Sequence, residues 1–205
     1  YTAKALGVEV GLFPDLLLTR TLMTIQAGIM GAFMEKLNYQ PSEEELKQYC
    51  RRMAPTAEDM ASVLGSAHSM SSEALFEHTW QEWQHGADDQ FGMMSTSANQ
   101  LKEWKFNKAL FDLYGGRVFV DRWVPQAYEA AHAYLAERET AGDFTIRDAD
   151  LRERYWALVR TPPPLSTVSE EEGRAALAEH PADRQKRETV KSLREHLDKA
   201  RAPSP

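Results

Sequence analysis

The stretch EHTWQEWQH gathers the side chains with the widest chemical range: Glu77, His78, Glu82 and His85. His78 and His85 stand seven positions apart, two turns along one helical face. That places them about 10.5 Å apart along the axis, too far to share one ion. No HExxH pair is present, so a zincin-type site is excluded. Glu82-x-x-His85 has the i, i+3 form used in di-iron bundles, but it occurs as a single copy. A metal site here would need ligands from elsewhere in the chain. The alternative is a polar or interfacial helix face carrying two histidines. The reading adopted is that the chain holds no metal and no cofactor. A small-molecule or metal-dependent helical enzyme with its site near Glu77, His78, Glu82 and His85 is kept as the second hypothesis.

Other catalytic patterns are absent from the sequence. There is no GxSxG elbow, no GxGxxG and no Walker loop. Cys50 has no histidine close in sequence, and as the sole cysteine it forms no internal disulfide. A lone cysteine on a helix face is usually a small buried hydrophobe. Trp80 and Trp83, with Trp104, Trp123 and Trp156, could line a ligand pocket. The commoner role of a tryptophan at helical spacing is core packing.

These side chains need helices to position them, and the sequence is punctuated for helices. Leu18, Leu22, Ile25, Ile29, Met30, Phe33, Met34 and Leu37 recur at three- and four-residue steps. This predicts a long apolar helix over 18–37, starting at Asp15 or Thr19. Its apolar side is wide and rich in Met, which re-packs around varied ligands. An ordinary core helix would show the same pattern. Gly28 and Gly31 inside it would be explained by close approach of a neighbouring helix. Met23, Met30, Phe33 and Met34 are expected beside Trp80 and Trp83, forming a partly open apolar groove that binds polypeptide.

Pro41-Ser42-Glu43-Glu44-Glu45 opens the next helix: Ser42 caps it and Glu45 completes a capping box. A weaker helix follows over 56–70, interrupted at Gly65, and another over 73–85. Leu101 to Leu113 is amphipathic and is stopped by Gly115-Gly116. Arg117-Val118-Phe119-Val120 is strand-like. Pro125 precedes a helix that Gly142 stops, and Phe144-Thr145-Ile146 is a second extended piece. Whether the two extended pieces pair or stay as loops is open. Asp148 can cap a helix that holds Leu151, Tyr155, Trp156 and Leu158. Val8-Glu9-Val10 could be a short strand.

The expected fold is therefore mainly α, an irregular helical domain of six to eight helices. One or two short strand pairs and a C-terminal helical arm complete it. The expected division is a helical core over 1–160, a Pro-rich linker over 161–169 and a charged helical tail over 170–205. The tail helix is expected over 184–201, with Val190, Leu193 and Leu197 as sparse apolar points. It could dock on the body or join two copies into a homo-oligomer.

Bulk properties bound the partners. At 205 residues, 42% of them hydrophobic, the chain can build one real core. The net charge of −7, without a basic stripe, excludes nucleic acid as a partner. No uninterrupted apolar run of spanning length occurs, so no transmembrane segment is expected. The sequence opens at Tyr1 without Met, which permits export after removal of a leader.

Thr19-Arg20 opening a long helix, then Asn38-Tyr39-Gln40-Pro41-Ser42-Glu43-Glu44-Glu45-Leu46, resembles the amino-terminal domain of SurA-type periplasmic chaperones and related foldases. In that family a short strand leads through a Thr-Arg step into a long helix, and a proline-serine-glutamate-glutamate start opens the next. The likeness spans roughly residues 8 to 53. The Tyr-Gly-Gly-Arg-Val end of the 104–118 segment is also similar to uncharacterised bacterial exported proteins. No parvulin-type isomerase domain follows. The resemblance therefore implies a chaperone-like or assembly-factor module, periplasmic or exported, that binds polypeptide clients without isomerase activity.

Overall fold

The structure, a computed structural model, describes residues 13–64, 70–85, 92–120, 124–161 and 166–201. Helix α1 runs Phe13–Leu37. It begins ahead of Asp15, with Pro14 in the first turn, where a missing N–H costs nothing. Asn38 ends it in the left-handed region at φ 45°, a conformation asparagine tolerates. Helix α2, Glu43–Met53, has the expected capping box: Glu45 N donates to Ser42 Oγ at 3.2 Å and Ser42 N to Glu45 Oε2 at 2.9 Å. Helix α3 is Ala57–Leu64, and α4 is Ser72–His85. The interruption expected at Gly65 and the strand at Val8-Glu9-Val10 lie outside the described residues.

Helix α5, Met93–Tyr114, is the hub, packing against α2 and α4 and against three helices that follow it in sequence. Gly115 and Gly116 stop it and turn the chain into β1, Val118–Phe119. Gly116 has φ 91°, and a Cβ there would sit 2.7 Å from Glu129 Cβ. Its neighbour Arg117 gives its backbone N–H and its Nε to the same Glu129 carboxylate at 2.8 and 2.7 Å. Helix α6 is Tyr128–Ala141, ended by Gly142 at φ 84°. Helix α7 is Ala149–Arg160, capped by Asp148. Strand β2, Thr167–Val168, leads into α8, Glu170–Ala178, and α9, Pro181–Arg201. The described residues thus hold nine helices and one two-stranded antiparallel sheet.

Two expectations change. The extended pieces at 117–120 and 144–146 do not pair with each other. Val118 instead faces Val168 and Phe119 faces Thr167, while Ile146 is buried among α6 and α7 side chains. The 161–169 segment also does not set the tail apart. Leu177 packs beside Phe111 and Val118 in one core cluster, and Ala182 beside Tyr49 and Trp80 in another. Gly173 lets α8 close on β1: a Cβ there would lie 2.5 Å from Val118 Cγ2. Small residues bring backbones together without a hydropathy signal, which is why this part reads as a polar arm. From Lys191 on, every described side chain of α9 is exposed.

Candidate functional site

The residues expected to form one groove divide between separate clusters. Trp80 and Trp83 are buried with Tyr49, Cys50, Phe76 and Leu101, in the core shared by α2, α4, α5 and the start of α9. Phe33 lies in the cluster of α5 and α6 instead, edge-on to Phe106 at 5.5 Å and to Tyr134 at 5.0 Å. Met30 is partly buried between that cluster and the one under α7. Met34 is half-buried and Met23 is 65% exposed. The two tryptophans therefore do not complete a groove with Met30 and Phe33. The sequence defines each apolar face but not which helix lies opposite.

Helix α1 instead presents an apolar outer side. It lays Leu18, Leu22 and Ile25 against α6 and α7 and leaves Leu16, Leu17 and Met23 at 53%, 57% and 65% exposure. Between Leu16 and Leu37 only 6% is buried, at a mean hydropathy of 1.3. By length and composition this helix is able to cross a membrane, contrary to the expectation from uninterrupted runs. Scattered Thr, Gln and a single Arg break the run without lowering the average enough. No second helix among the described residues meets that measure. An apolar helix this close to the amino terminus is compatible with export. Gly28 and Gly31 have nothing within 4 Å of an added Cβ, so no neighbouring helix among the described residues explains them.

Glu77, His78, Glu82 and His85 are all exposed on α4, and His85 Nδ1 lies 2.7 Å from the Gln81 carbonyl. No group of three or more His, Cys, Asp or Glu able to hold a metal occurs among the described residues. Cys50 is buried, and burial pushes its thiol up to about 12. A thiol so held is almost wholly protonated at neutral pH and inert. Native protein should react with a disulfide reagent at pH 8 at least about a hundredfold more slowly than unfolded protein. Equal rates, followed by the released chromophore, would place Cys50 at the surface.

A site that spacing does not reveal lies where the α1–α2 connection, α2, α5 and the α8–α9 step meet. Tyr39, Glu45, Gln48, Leu101, Trp104, Lys105 and His180 line a pocket of about 220 Å³. Tyr39 donates its hydroxyl to Glu45 Oε1 at 3.0 Å. Burial, then this carboxylate, pushes that hydroxyl up to about 12. The Ser42 backbone N–H holds the Glu45 carboxyl below its ordinary range, so it stays ionised. Trp104 Nε1 donates to the Leu177 carbonyl at 2.8 Å, which fixes the indole. The His180 ring sits 5.2 Å from Trp104 and 5.5 Å from Tyr49. Its Nδ1 accepts from Ala182 N at 3.2 Å, which assigns the neutral ring's proton to Nε2. Burial, then the Arg52 charge, pushes His180 below its ordinary value. Its contributors come from four separate segments, and Glu45 reads in sequence as a capping residue alone.

A larger depression of about 640 Å³ between α2, α3 and α9 is lined by charges of both signs. Arg52–Asp183 and Lys186–Asp59 pair across it, each at 2.7 Å. No family model, curated protein or solved structure matches this chain.

Proposed function

We propose that the chain is a chaperone-like or assembly-factor module that binds polypeptide segments without isomerase activity. The observation that supports this most is the outer side of α1, with Leu16, Leu17 and Met23 exposed together. Contiguous exposed apolar surface of this kind marks interaction sites. The unbranched Met side chain accommodates varied apolar faces, and Leu adds apolar area, as helix-in-groove recognition requires. The binding surface proposed is this outer side, in place of a groove closed by Trp80 and Trp83. An exported, periplasmic setting agrees with the SurA-like opening and the apolar helix near the amino terminus. The exposed distal part of α9, with Leu193 49% accessible, is the surface through which a homo-oligomer would form.

Met23→Asp tests the reading. Met23 is exposed, so stability should change by no more than about 0.5 kcal/mol. Suppression of aggregation of a heat-denatured reporter enzyme should fall about tenfold or more, because a carboxylate then faces the apolar client. Met30→Asp is the contrast: it should lower the melting temperature, since the new carboxylate is partly buried between two clusters. Unchanged suppression by Met23→Asp would remove the client reading. Co-sedimentation of the wild type with lipid vesicles, without any client effect, would assign the face to a bilayer.

A further inference from the structure

We propose that Tyr39, Trp104 and Glu45 form an ammonium-binding cage that Lys105 occupies in this structure, and that its ligand is a small alkylammonium or quaternary ammonium ion. Lys105 Nζ stands 5.4 Å from the Tyr39 ring centroid and 5.2 Å from that of Trp104. Both lie within the range where a cation is attracted to an aromatic face. The third element is a carboxylate: Glu45 is fixed by Ser42 N at 2.9 Å and by the Tyr39 hydroxyl at 3.0 Å. Two rings facing a cation, with an ionised carboxylate on the wall of the same pocket, are the recognition chemistry of ammonium groups. The Trp104 wall is preorganised, since its indole is anchored to the Leu177 carbonyl at 2.8 Å.

Space for a ligand is already present. The pocket of about 220 Å³ keeps His180 and Gln48 on its wall. A neighbouring depression of about 300 Å³, between Leu37 and Asp112, is also lined by Tyr39 and Lys105. The two hollows therefore share these side chains as a common wall. Lys105 has a flexible four-carbon stem and sits on the outer part of α5, half-buried. Its withdrawal leaves the two rings without their cation. The inference does not depend on polypeptide binding at α1.

The test uses the full chain with choline and tetramethylammonium as probes and inorganic phosphate as the opposite charge. Lys105→Ala empties the cage while keeping a strong helix former on α5. It should bind choline about tenfold more tightly than the wild type by calorimetric titration, the loss of an internal competitor worth a cation–π contact. Adding Glu45→Gln, which still suits the capping box, should reverse that gain. Choline binding no tighter in Lys105→Ala than in the wild type overturns the proposal. So does phosphate binding by the wild type that Lys105→Ala abolishes, since Lys105 would then be the ligand contact itself.

Discussion

A chain ended after Thr161 should fail to reach the native fold, whereas one ended after Lys191 should keep it. The first cut removes Leu177 from the cluster with Phe111 and Val118, and Ala182 from the cluster with Tyr49. It also takes the Leu177 carbonyl from Trp104 Nε1 and Gln185 from the Tyr49 hydroxyl, bonds of 2.8 and 3.0 Å. Losing a buried leucine side chain costs about 2–5 kcal/mol. The Trp104 N–H is left without its acceptor, at about 1–3 kcal/mol more, while the Tyr49 hydroxyl keeps Gln100. Together these approach the whole stability of an ordinary domain, about 5–15 kcal/mol. The second cut removes only residues whose described side chains are exposed. Urea melts followed by circular dichroism and Trp fluorescence decide the matter. A cooperative transition in the shorter chain would show that the body folds without its tail.

The second large effect is acid sensitivity centred on His132. This imidazole lies on α6, its ring edge-on to Tyr128 at 3.9 Å. Burial pushes it down to about 4, with Glu129 pulling upward and Arg160 pushing further down. In the unfolded chain the same group titrates near 6.5. Below that value the unfolded state binds a proton that the folded state refuses. Stability is therefore lost as pH falls from about 6.5 to about 4 and changes no further below. The loss amounts to about 2–3 kcal/mol, with some screening because the ring is only partly buried. Depressed carboxylates such as Glu129 and Glu179 add to acid destabilisation, but mainly at lower pH. His132→Phe keeps a ring against Tyr128 and removes the titration. Between pH 7 and 4.5 the wild type should lose about 2 kcal/mol more than this variant. Parallel stability curves would mean His132 carries a proton in the folded state.

Local punctuation was the legible part of this sequence. Ser42 with Glu45, Asp148 and Gly142 mark helix ends where the structure has them. Ser169-x-x-Glu172 is the same capping box as Ser42-x-x-Glu45 and opens α8. The polar composition that follows the prolines masks it. What joins elements was hidden for a different reason. A periodic face states that something covers it, not what. Trp80 and Trp83 find Tyr49 and Leu101, while Phe33 finds Phe106 and Tyr134. The pocket at Trp104 was illegible because its walls are up to 141 positions apart, from Tyr39 to His180.

The β1–β2 pair joins Val118 to Val168 and Phe119 to Thr167, and the chain that follows seals two of the clusters. Synthesis runs from the amino terminus, so these clusters stay unsealed until α8 and the first turns of α9 have emerged. At about 5–20 residues per second, the stretch from Thr161 to Gln185 takes about 1–5 s. Through that interval Phe111, Val118 and Tyr49 lack their last covers. The native core closes late and from its carboxyl side, so a nascent chain stalled near Thr161 is the species most exposed to aggregation and proteolysis.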